Sequence, residues 1–89
     1  MPTISMFYGI IVYMYFFDTK KHNKPHVHAE FAEYSIIVSI EDGEVLSGNF
    51  PSKKLKMLQA WIAIHEDELM ADWKLAVEGK ELFKIDPLR

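Results

Sequence analysis

Three of the four histidines fall within seven residues, in the stretch His22-Asn23-Lys24-Pro25-His26-Val27-His28-Ala29-Glu30. In an extended chain, residues two apart share a face. His26, His28 and Glu30 would then stand in a row, with neighbouring Cα atoms about 6.5–7 Å apart. Two chemistries suit such a row. In one, His26 and His28 bind a divalent ion such as zinc or nickel, Glu30 or His65 completes three ligands, and water takes the open position. In the other no metal is needed. One neutral imidazole takes a proton and one imidazolium gives it, as in cleavage of an RNA phosphodiester, because imidazole titrates at about 6.5, near working pH. Lys20, Lys21 and Lys24 would hold the phosphate, and Tyr13 or Tyr15 would stack on a base. Against both stands the plainer reading of a solvated, lysine-flanked connection with no role beyond structure.

The elements that must position these side chains follow from periodicity. Phe7 to Phe17 is rich in aromatic and β-branched residues and apolar on both faces, so the sequence predicts a first strand covered on both sides. Gly9 would mark a bulge or a close backbone approach. Asp18 to Pro25 reads as a loop, His26 to Ala32 as a second strand and Tyr34 to Ile40 as a third. Asp42-Gly43 predicts a two-residue hairpin, because a type I′ turn needs positive φ at both central residues. A fourth strand over Glu44 to Phe50 would end at Pro51, and Ser52 would cap a helix unless Pro51 opens its first turn. Leu55, Leu58, Ile62, His65, Leu69, Trp73 and Ala76 recur at helical steps from Lys53 to about Glu78. One unbroken helix of that length would span about 39 Å, too long for the domain, so a break is expected near His65 to Asp67. Gly79 would close the second helix. The prediction is α+β: an antiparallel sheet of about four strands, two helices on one of its faces, and a short extended C-terminal segment.

The chain has 89 residues, room for a single domain over 1–89 with one core and one small site. It contains no cysteine, which excludes disulfides and thiol chemistry. The formal charge of −3 argues against strong non-specific nucleic-acid binding. The longest apolar run, Met6 to Phe17, has twelve residues, whereas a membrane-spanning helix needs about twenty. No membrane association is expected, and a cytoplasmic location is. The two-faced first strand suggests a homodimer formed through residues 7–17. His65 would be half-buried at a helix end, or would face the histidine strand. Trp61 and Trp73 belong to the core in this reading.

The opening Met1-Pro-Thr-Ile-Ser, Phe7-Tyr-Gly-Ile-Ile, the Pro25-His26-Val27-His28-Ala29-Glu30 block, Gly43-Glu-Val-Leu with Gly48, and Trp61, His65, Leu69 and Trp73 together resemble the DUF4160 family of small bacterial proteins. Members commonly carry an Asp-His pair and two prolines before the first motif histidine. Here that loop is longer and has one proline. The resemblance implies a single domain of unknown function, often encoded beside another small domain, DUF2442, in a toxin–antitoxin-like pairing. A small partner protein encoded nearby is therefore implied. The family's histidine motif maps onto His26 and His28, and its helical Trp-x-x-x-His onto Trp61 and His65.

Overall fold

The computed structural model describes residues 3–14 and 24–89. Five strands precede two helices: β1 (Thr3–Phe7), β2 (Ile10–Tyr13), β3 (His26–Phe31), β4 (Tyr34–Ser39), β5 (Val45–Gly48), α1 (Ser52–Ile64) and α2 (Glu66–Val77). The strands form one antiparallel meander in sequence order. The fold class is α+β, as the order of the elements predicts.

The run read as one long strand is a hairpin. Phe7 pairs with Ile10 across the two-residue turn Tyr8-Gly9, where φ is +50° and +81°. Gly9 is thus a turn residue rather than a bulge, which adds one strand to the expected count. The bulge lies earlier, between Thr3 and Ser5. β2 is paired on both sides, to β1 and β3. The remainder of the expected strand lies outside the described residues, as do Tyr15, Lys20, Lys21 and His22.

Residues directly opposite across an antiparallel pair share a face. Val12, Ala29 and Ile36 form one such row, and Val27 and Val38 another. All are buried, clustered with Leu58, Trp61 and Ile62 of α1 and with Leu69 and Ala76 of α2. The opposite face carries Tyr13, His28, Ile37 and Ser47 in one row and Met6, Ile11, Glu30 and Ser35 in the next.

The Asp42-Gly43 turn is longer than two residues. Ser39 N–H donates to Glu44 O at 2.8 Å and Gly43 N–H to Ser39 O at 3.0 Å, closing a four-residue loop over 40–43. Pro51 is the N-cap of α1, so Ser52 is its first helical residue and caps nothing. The break falls at His65, which ends α1 and begins α2. Glu66, Asp67 and Glu68 then occupy the first turn of α2, where negative charge suits the helix dipole. Gly79 (φ +73°) closes α2 through Gly79 N–H to Ala76 O and Lys80 N–H to Leu75 O, the two bonds of a Schellman motif. Lys54 ties the layers together: its Nζ donates to Tyr8 O at 2.8 Å and sits 4.8 Å from the centre of the Phe31 ring.

Candidate functional site

Strand alternation places the two motif histidines as expected. His26 and His28 are the first and third residues of β3, and their ring centroids are 5.3 Å apart. Their surroundings differ. His26 is fully buried (0% exposed). Its Nδ1 lies 2.8 Å from Lys24 O, and its ring meets Trp73 of α2 at 4.9 Å. This imidazole fastens the start of β3 to the helix layer. His28 is 7% exposed and stacks nearly flat on Tyr13, with centroids 5.3 Å apart and planes 17° apart. Tyr13 in turn donates its hydroxyl to Glu30 Oε2 at 2.9 Å.

The open face therefore carries a joined set of Tyr13, His28 and Glu30 rather than two free imidazoles. A shallow groove of about 250 Å³ runs beside it, lined by Tyr13, His28, Ser35, Ile37, Ser47 and Gly48. Met6 and Ile11 continue the same face, 63% and 37% exposed.

His65 is elsewhere. At the helix junction its Nδ1 lies 2.5 Å from Glu68 Oε1, and its ring rests on Trp61 at 5.5 Å. The bond to Glu68 follows from the three-residue helical step between them. Among the described residues no group of three or more His, Cys, Asp or Glu side chains could hold a metal ion. His26, His28, Glu30 and His65 are thus not assembled as a ligand set. Glu30 serves Tyr13, His65 serves Glu68, and one nitrogen of His26 is directed at the backbone.

Lys24, expected to hold a phosphate, lies 3.2 Å from Glu44 and 3.6 Å from Asp42. The hydrogen bond it donates to Glu44, with the charges of Asp42 and Glu44, raises its pKa above the ordinary lysine value. Asp42 is held below the ordinary carboxylate value, first by the Glu44 backbone N–H. This cluster pins the loop after β4 to the segment before β3. Sequence spacing could not show the Trp73 contact or the Tyr13–Glu30 bond, because both depend on cross-strand register and helix placement.

An antiparallel five-stranded meander with a broken helix pair on one face defines a small α+β single-domain protein with an open sheet surface. This chain belongs to the DUF4160 family: the model of that domain of unknown function matches residues 9–74. No curated protein and no solved structure matches it. Among the described residues no helix is long and apolar enough to cross a membrane.

Proposed function

We propose that the chain is a protein-binding module that engages its partner through the open sheet face. One observation carries this reading. Met6 and Ile11 are cross-strand neighbours left exposed beside the Tyr13–His28–Glu30 set. Apolar side chains side by side on a sheet face are desolvated favourably by a partner surface. The partner would present an apolar patch with a cation opposite Glu30, in keeping with the chain's formal charge of −3. A nuclease acting through two imidazoles is disfavoured, since His26 is sealed against Trp73 and cannot reach a substrate.

The first probe is a DUF2442 protein from the same genome, the neighbour that the family resemblance brings in. Calorimetric titration should show binding to the native chain and at least tenfold weaker binding to the Ile11→Glu variant. Binding that Ile11→Glu leaves untouched, or no binding at all, would count against this surface and this partner. If the partner is instead a second copy, sedimentation velocity will show a dimer that Ile11→Glu dissociates.

A second reading rests on the flat Tyr13–His28 stack, which offers a platform to a single-stranded RNA base. Anisotropy of a labelled oligonucleotide that rises with the native chain and not with Tyr13→Ala would favour it. The engagement of Lys24 with two carboxylates weighs against it.

A further inference from the structure

The segment that follows α2 runs through residues 80–89 as neither helix nor strand, yet three different elements hold it. Phe83 N–H donates to Asp72 Oδ1 of α2 at 3.0 Å, Ile85 N–H to Ile4 O of β1 at 2.8 Å, and Trp61 Nε1 of α1 donates to Asp86 O at 2.7 Å. Three side chains at a spacing of three pack on the core, and Pro87 beside them is half-buried. Ile85 is buried and Leu82 and Leu88 are half-buried against the core, while Phe83, Lys84 and Asp86 are exposed. A threefold period suits an extended, polyproline-like chain.

We infer that residues 80–89 form a displaceable strap, and that the surface beneath it is a docking site for an extended peptide segment with apolar residues three apart. The occupant is read from what now fills the site. All three holding bonds use backbone groups of the strap, so any extended segment can make them. Side-chain choice enters only at the positions of Leu82, Ile85 and Leu88. A surface groove of about 350 Å³ runs beside the strap against β1, lined in part by Thr3, Met6, Lys84 and Asp86. Asp72 Oδ2 is buried without a hydrogen-bond partner. A competing segment with one more donor, such as a serine or threonine hydroxyl, would fill that acceptor and gain over the strap. The family match ends at residue 74, before the strap begins. This site meets the open sheet face at Met6 but does not rest on that face's role.

The test uses the full chain and a fluorescent peptide of the sequence of residues 80–89, with a control peptide of the same composition whose apolar residues are two apart. Ile85→Ser weakens the tethered strap, which otherwise competes at high effective concentration. The peptide should bind Ile85→Ser at least tenfold more tightly than the native chain, and the control should bind neither. Equal affinity for the two chains, or equal binding of the two peptides, would overturn the inference. Phe83→Pro is the second variant. It removes the N–H given to Asp72 while changing an exposed side chain, and the same gain is expected. Loss of the sheet by circular dichroism in both variants would also overturn it, since the segment would then be a core element and no strap.

Discussion

Two residues with positive φ respond in opposite directions to the loss or gain of one methyl group. Ala32 holds φ +52° in the two-residue connection between Phe31 and Tyr34. A left-handed L-residue costs about 1–2 kcal/mol. Glycine removes that cost and returns about 0.4–1 kcal/mol to the unfolded chain. Ala32→Gly should therefore raise stability by about 0.5–1 kcal/mol, visible as a Tm about 3–6 °C higher. An unchanged or lower Tm would show that the turn is relaxed as it stands. Gly48 holds φ +81°, and a Cβ there would lie 2.3 Å from Ser35 O, a backbone atom that cannot rotate away. Gly48→Ala should cost at least about 2 kcal/mol in a urea melt, from left-handed strain plus displacement of β4. A smaller loss would mean that β5 is free to slide. Neither glycine-compatible position is readable from residue type alone. Tyr8-Gly9 and Ala32-Glu33 lack the asparagine or aspartate that marks a tight hairpin, whereas Asp42-Gly43, which carries that signal, forms a longer loop.

At the scale of elements, β3 seats one of its two buried histidines on Trp73 and the other on Tyr13. His26→Ala removes a fully buried ring, its contact with Trp73 and its bond to Lys24 O. By analogy with other buried large-to-small changes it should cost about 3 kcal/mol. His28→Ala loses the stack on Tyr13, worth about 1 kcal/mol, and the edge contact with the His26 ring. Chemical denaturation should show His26→Ala to be the costlier of the two, and only His28→Ala should alter partner binding once stability is allowed for. Equal costs would mean that the two rings hold β3 equally.

The alternation that aligns these residues is legible in the sequence, because Val27 and Ala29 are small and apolar while their neighbours titrate. Which ring is sealed is not legible, since that depends on where Trp73 arrives after the bend at His65. The bend itself is legible, because one unbroken helix would be too long for the domain and three consecutive acidic residues suit a helix N-terminus. The edges are managed as well. β5 is short and irregular in register between Ile37 and Val38, and β1 bulges between Thr3 and Ser5 beneath the strap. Bulges and cover discourage edge-to-edge pairing, which leaves the sheet face as the surface open to a partner.

For the molecule as a whole, one buried carboxyl couples α2 to the chain's last segment and makes stability depend on pH. Asp72 is 2% exposed, and burial pushes its pKa above the usual 3.8. The Phe83 N–H opposes that rise, and the charge of Glu68, one turn earlier, adds to it. Among the described residues no cation pairs with Asp72. A carboxyl whose pKa is higher folded than unfolded holds its proton more tightly in the native state. Its contribution to stability is complete below the unfolded value and is lost as pH rises through the folded value. At neutral pH the charged group is thus a burden that an amide would not impose. Asp72→Asn keeps a carbonyl oxygen for the Phe83 N–H and removes the charge, so it should be more stable than the native chain at pH 7. The advantage should shrink as the pH is lowered towards 3.8 and the native carboxyl takes up its proton. Asp72→Ala, which also loses the bond to Phe83, should fall below Asp72→Asn at every pH by about 1 kcal/mol. Thermal melts of the three chains from pH 3.5 to 7 measure this directly. An asparagine variant that is less stable at pH 7, or whose advantage grows on acidification, would mean that the folded carboxylate has a favourable partner, and the sign of the coupling would be reversed.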